Sequence, residues 1–526
     1  MSTAVPDAGE PPAYRMHLGA RATEHPDRPA VIMTGSGEVT TYRQLDERST
    51  RLARAFRRAG LRAGDHVALM MQNSSAFLET AWAAQRSGLY YTALNSHLRR
   101  DEAQYILDDC GASALVISAG LADVAGTLDL GAVPLRIVTG GPADGFTPYR
   151  EVLDAESATR LEDEAEGREM LYSSGTTGVP KGVAKPLGVT VPGHPESAAV
   201  AIATGIGAMG VDGDSVYLSP APLYHSAPLV YSMSMHRLGA TALVMESFDA
   251  SACLAAIGRY RVTHAQFVPT MFTRLLRLPD GEREAADVSS LRYVVHAAAP
   301  CPVDVKRRML EWWGPIIYEY YAGTEDIGSS FIGPAEWLTH PGSVGRPRDE
   351  MHIVGVDGND VPTGETGTVY FSGGRAFEYH NDPDKTASIQ DRHGWRTLGD
   401  VGHVDEDGYL YLTDRSADMV VSGGVNIYPR EAEQLLAGHP AVLDVAVFGV
   451  PDEEMGEAVK AVVQFADPSS PVAEDELLAW CRQRLAAYKC PRSIDPVDEM
   501  PRDPNGKLFK RLLRDPYWEG HGSRIV

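Results

Sequence analysis

Residues 173–181 read Ser-Ser-Gly-Thr-Thr-Gly-Val-Pro-Lys. Ser173, Ser174, Thr176 and Thr177 offer hydroxyl donors, and Gly175 and Gly178 let backbone N–H groups close on a ligand. Lys181 adds a mobile positive charge. A set of this kind suits a polyphosphate, whose oxygens need many donors and charge neutralisation. P-loop NTPase chemistry fits poorly, because that loop requires glycine directly before its lysine and Pro180 stands there. On composition alone, a plain surface turn of Ser, Thr and Gly remains the alternative. Further along, residues 318–326 (YEYYAGTED) bring Thr324 and Glu325 together, and a carboxylate beside phosphate oxygens is what a hard cation such as Mg²⁺ seeks.

The loop is similar to the signature loop of the adenylate-forming superfamily, which includes acyl-CoA synthetases, peptide-synthetase adenylation domains and firefly-type luciferases. Further motifs follow in that superfamily's order, and the resemblance runs from about residue 60 to the C-terminus. Residues 318–326 resemble the adenine and α-phosphate motif. The resemblance implies that Tyr321 stacks on adenine, Thr324 bonds the α-phosphate and Glu325 carries Mg²⁺. Residues 296–300 (HAAAP) resemble the backbone lining of adenine, with Ala298 and Ala299 nearest. Residues 395–415 resemble the ribose motif and hinge: Asp400 would accept the ribose hydroxyls and Arg415 would hold ribose and phosphate. Residues 422–429 (SGGVNIYP) resemble the loop of the pantetheine tunnel, where Gly423 and Gly424 keep the passage open. Residues 501–514 resemble the C-terminal catalytic motif, with Lys507 entering the site to neutralise charge during adenylation. The chain has eight lysines against 40 arginines, and a lysine at 507 suits a compact point charge better than a planar fork. Two residues after Arg415 stands Ala417, where the superfamily usually has Asp or Lys.

The implied reaction joins a carboxylate to ATP, giving acyl-AMP and pyrophosphate, and then passes the acyl group to a thiol. Residues 219–230 (SPAPLYHSAPLV) contain no acid that could pair with an α-amine. They resemble instead the acyl-CoA synthetase form, in which His225 stands at the acyl pocket. A buried, unpaired ammonium would cost several kcal/mol, so an acid lacking an α-amine is expected. Gly205, Gly207, Met209, Tyr231, Val268, Pro269 and Met271 are expected to line an apolar pocket for a fatty, sterol-side-chain or terpenoid acid. Coenzyme A is the expected acceptor, with ATP and Mg²⁺ as the other small partners. An aryl acid, a carrier protein as acceptor, and a silent ligand-binding homologue are the alternatives.

These residues must be carried by a scaffold, and its periodicity is legible. Helical stretches at 45–60 and 76–88 alternate with apolar strands at 66–71 and 114–118, and further strands are expected at 215–219, 241–245 and 292–297. Strand–helix alternation implies parallel βαβ units. After about residue 364, alternating apolar and polar residues punctuated by Gly and Asp suggest antiparallel sheets. The resulting expectation is α/β, a large multi-part N-terminal domain over 1–414 and a small mobile α+β domain over 415–526, including helices at 429–439 and 474–488. With 526 residues a single core is not expected.

A net charge of −23 argues against a general nucleic-acid partner. Five scattered cysteines form no Cys-x-x-Cys pair, which speaks against a disulfide framework or zinc knuckle. No signal peptide and no apolar run of about 18 residues is recognised, so a soluble cytoplasmic enzyme is expected. The oligomeric state is left open.

Overall fold

The computed structural model describes residues 16–173, 180–188, 191–299, 301–415, 418–422, 425–452, 455–502 and 508–519. Two compact units emerge. The first comprises residues 1–267, 277–295 and 376–386; the second comprises 268–276, 296–375 and 387–526.

In the first unit, six strands form an all-parallel sheet in the order Thr147–Pro148, Leu135–Thr139, Ala114–Ser118, His66–Met70, Tyr90–Ala93, Arg168–Glu169. Helices Ser75–Gln85 and Arg100–Cys110 make the crossovers. Strands covered on both faces must be apolar throughout, and all five residues of Ala114–Ser118 are buried. A second parallel run joins Pro29–Met33, Thr241–Val244, Val216–Ser219 and His264–Phe267, with Val39–Thr41 antiparallel at its edge. Helix Tyr42–Arg58 begins three residues before the expected start, because Thr41 and Gln44 close a capping box around its first turn. Its Leu45, Leu52 and Phe56 share a buried cluster with Phe77 and Trp82 of Ser75–Gln85.

The second unit holds the antiparallel strands Ile317–Ala322, Ser329–Ile332 and Arg346–Pro347. A four-stranded antiparallel sheet follows, in the order Met351–Val354, Gly367–Phe371, Arg396–Val404, Leu410–Arg415. The C-terminal part is a small α+β assembly. Strands Val442–Asp452 and Gly456–Phe465 pair antiparallel, Ser493–Pro496 adds in parallel, and helices Arg430–Ala437 and Glu474–Arg482 bury Leu436, Leu477 and Cys481 against them. The fold is thus α/β, with a large N-terminal part and a small C-terminal α+β domain.

One expected helix is shorter than its periodicity suggests. The stretch 474–488 is helical only to Arg482, then turns, and Ala487–Lys489 forms a 3₁₀ turn. Leu485 packs on the C-terminal core, Cys490 is buried in it, and the Arg484 guanidinium lies 3.5 Å from the Trp480 ring centroid. No glycine or proline marks this stop, so tertiary packing overrides helix propensity here. All five cysteines are buried and free. Among the described residues no helix is long and apolar enough to cross a membrane.

Candidate active site

In the second unit, strand Ile317–Ala322 carries the first group of site residues. Its alternation buries Ile317 and Glu319 and leaves Tyr321 half-buried. The Tyr321 hydroxyl donates to Asp400 Oδ2 at 2.6 Å, joining residues 79 apart in sequence. Asp400 is 8% exposed, on strand Arg396–Val404, and its backbone registers with Arg415 on the neighbouring strand. Tyr321, Asp400 and the Arg415 backbone are therefore brought together.

The turn after Tyr321 is tightly specified. A Cβ on Gly323 would lie 2.7 Å from a Leu398 methyl and 2.8 Å from Glu325 Oε2. A Cβ on Gly328 would lie 2.2 Å from the ring of Phe371, which is fully buried and packs 6.4 Å from the Tyr321 ring. Glycine at these positions lets Thr324 and the buried Glu325 be presented between them. Asp326 takes a left-handed backbone (φ 56°) and pairs with Arg375 at 3.4 Å. Ala298 also adopts positive φ (73°), rare for a residue with a Cβ; Ala299 follows it half-buried.

In the first unit, Leu171–Ser173 and Lys181–Ala184 pair antiparallel with Ser173 opposite Lys181, so the ends of the phosphate-type loop are held by strand pairing. Ser174, Gly175, Thr176, Thr177 and Gly178 lie outside the described residues. Lys181 Nζ donates to Asp382 Oδ2 at 2.5 Å. That hydrogen bond holds Asp382 below the usual carboxylate range and Lys181 above the usual ammonium range. Beside it, Asp109 accepts from the Tyr172 hydroxyl at 2.5 Å and from Asn381 at 3.2 Å, tying the hairpin base to the segment carrying Asp382.

His225 caps helix Ser226–Leu238, with its ring 4.5 Å from that of Tyr224. The segment before it is fixed by Asn73, which accepts from Leu223 N at 2.7 Å and donates to the carbonyls of Ala221 and Met245. Of the expected pocket residues, Tyr231 stacks on Tyr217 at 6.0 Å. Gly205 is exposed, with nothing within 4 Å of a Cβ built on it. Its place on the outer face of helix Ala198–Gly207 removes it from a buried lining.

Lys489, on the C-terminal domain, donates to both oxygens of Glu431 at 2.7 Å. Gly423, Gly424, Ala417 and Lys507 lie outside the described residues. Sequence reasoning missed Asn73, Asp109, Phe371 and Asp382, which support the site residues from outside the motifs, and Gly323, which lies within residues 318–326; the asparagine and aspartate in HNDP were a visible hint.

The family described as AMP-binding enzyme matches residues 18–378, and the AMP-binding enzyme C-terminal domain matches residues 431–507. The chain belongs to the AMP-binding enzyme family. It is 36% identical to a feruloyl-CoA synthase of an Amycolatopsis species over 502 residues, covering 94% of this chain and 96% of the relative. It is 32% identical to the long-chain-fatty-acid–CoA ligase FadD13 of Mycobacterium tuberculosis, covering 95% and 97%. The crystal structure of ATP-bound MatB from Rhodopseudomonas palustris superposes with a TM-score of 0.79 at 26% identity, covering 96% of this chain and 99% of that one. Within the family this chain is an acid–thiol ligase.

Proposed function

We propose that the chain is a cytoplasmic ATP-dependent acyl-CoA synthetase acting on a hydrophobic carboxylic acid without an α-amine, with its domains dividing at residues 414 and 415. The observation that carries the reading is the Tyr321–Asp400 hydrogen bond of 2.6 Å beside the turn that Gly323 clears for Glu325. A buried carboxylate oriented by a tyrosine hydroxyl would accept from ribose hydroxyls, and the Tyr321 ring would stack on adenine.

In the first step a substrate carboxylate oxygen attacks the α-phosphorus and the bond to pyrophosphate breaks. Thr324 and Lys181 would donate to phosphate oxygens, and Lys507 would neutralise the charge gathering on the carboxylate and α-phosphate. No group of three or more His, Cys, Asp or Glu among the described residues could hold a metal by itself. The donor set therefore fits Mg²⁺ bound through the Glu325 carboxylate with phosphate oxygens as further ligands, where it would supply charge neutralisation. In the second step the thiol of coenzyme A attacks the acyl carbonyl and AMP leaves; by the family resemblance Gly423 and Gly424 would keep that approach open.

The absence of any acid in residues 219–230 supports an acid without an α-amine. Five buried free cysteines accord with a reducing compartment. An aryl acid is the second reading, favoured by the similarity to feruloyl-CoA synthase. Pyrophosphate release measured across a panel of fatty, polycyclic and aryl acids, with and without coenzyme A, tests the assignment. Turnover that ignores coenzyme A and yields no thioester would overturn it.

A further inference from the structure

Beneath the residues assigned to adenine lies a buried charged cluster that the reaction does not use directly. Lys306, on helix Val303–Trp313, is fully buried and donates to Glu319 Oε2 at 2.6 Å. The same oxygen lies 3.4 Å from His296 Nε2. Lys306 Nζ also sits 4.9 Å from the Trp337 ring centroid. The His296 ring is completely buried, edge-on to Phe272 at 5.4 Å, and neither ring nitrogen has a hydrogen-bond partner among the described residues. Arg430 adds positive charge nearby, and the buried Cys301 thiol also feels Glu319.

We infer that Lys306, Glu319 and His296 act as a positioning unit that sets the nucleotide-facing ends of their two strands and so determines how tightly ATP is held. His296 ends strand Tyr293–His296, and two residues on stands Ala298 in its left-handed backbone (φ 73°). Glu319 and Tyr321 lie two apart on strand Ile317–Ala322, hence on one face. One carboxylate oxygen thus joins helix Val303–Trp313 and the end of strand Tyr293–His296 to the middle of strand Ile317–Ala322, and both strands run on toward residues assigned to adenine. A strained backbone persists only where its surroundings over-determine it. A core alone does not call for this arrangement, since apolar residues of similar volume often replace a buried ion pair without loss of stability. What the ion pair adds is directional fixation, which methyl groups do not supply.

The inference rests on the adenine role proposed for Ala298, Ala299 and Tyr321, and its test separates the two. The volume-conserving double substitution Lys306→Met/Glu319→Gln removes both charges, and Glu319→Gln alone keeps shape and an acceptor for Lys306. The KM for ATP should rise about tenfold in the double variant and about threefold in Glu319→Gln, with the KM values for acid and coenzyme A within about twofold of the parent. An unchanged ATP KM in Glu319→Gln and in any folded double variant would overturn the inference. So would a parallel rise in the KM for acid, which is what a merely structural role produces. Tyr321→Ala is the control. If it leaves the ATP KM unchanged, the adenine reading itself fails and this inference with it; if it raises the KM while the charge variants do not, only the positioning role falls.

Discussion

Lysine is used sparingly at the residue scale. With eight lysines in the chain, those at 181, 306 and 489 each meet a named carboxylate: Asp382, Glu319 and Glu431. Lys181 is held by Asp382 at the base of the phosphate-type loop, and its proposed role there is that of a point charge facing a polyphosphate. Lys507 carries the clearest single-residue expectation. Lys507→Ala should lower acyl-adenylate formation by about 10²-fold or more, the scale of losing one charged donor aimed at developing charge. Thioester formation from supplied acyl-AMP should survive; rapid-quench assays of the two half-reactions read this, and equal loss in both would contradict the role. Asp400 shows how far one residue type can be read alone. In sequence it is an aspartate after a glycine, and its hydrogen bond to Tyr321, 79 residues away, gives its carboxylate a direction.

At the scale of elements, the site depends on strand ends and the turns that follow them. Parallel strands deliver their C-terminal ends to one edge, which is where ligands of open α/β sheets gather. The Tyr321 strand is extended by a turn whose glycines are dictated by neighbours, with Leu398 and Glu325 crowding Gly323 and Phe371 crowding Gly328. Gly323→Ala should therefore displace Leu398 or the Glu325 carboxylate. The expected cost is about 1–3 kcal/mol in stability, from overpacking, with adenylation falling more than thioester formation. Thermal unfolding together with half-reaction rates checks this; a stable variant with unchanged adenylation would show that Glu325 tolerates the shift. The shortened helix Glu474–Arg482 belongs to this scale too, because its periodicity continues while the buried Cys490 draws the chain away.

For the whole molecule, loss of stability in acid follows from histidines withdrawn from water, among them the buried His236 and the half-buried His66 of the first unit. Trp82 donates to His236 Nδ1 at 2.9 Å, so the ring proton sits on Nε2, 3.1 Å from the Ala30 carbonyl. Burial pushes the His236 pKa down to about 4. Burial, with His380 adding to it, does the same for His66, also to about 4. The unfolded chain takes up these protons near pH 6.5 while the folded chain resists until about 4. Stability is thus held above pH 6.5 and lost as pH falls through the window between, by about 1–2 kcal/mol per histidine at pH 5. Thermal unfolding midpoints at constant salt should drop across that window, and His66→Gln should flatten the slope by one histidine's share, since buried His17, His264 and His296 are held low as well. An unaltered slope in that variant would remove His66 from the account.

The sequence by itself determined the family, the α/β alternation and the order of the motifs. Each of these is a local property: a periodicity, a turn composition or a short run of residue types. The mostly apolar strand Ala114–Ser118 and the Ser/Thr/Gly/Lys loop could be read without neighbours. Tertiary structure alone decided which supports hold the site. The Tyr321–Asp400 bond, the Lys181–Asp382 pair and the Lys306–Glu319–His296 cluster each join residues far apart in sequence or in separate elements. It also removed Gly205 from the expected pocket, because which face of a helix is covered depends on what packs against it. Pairings of this kind are fixed by distance in space, and a single sequence carries no local signal of that distance.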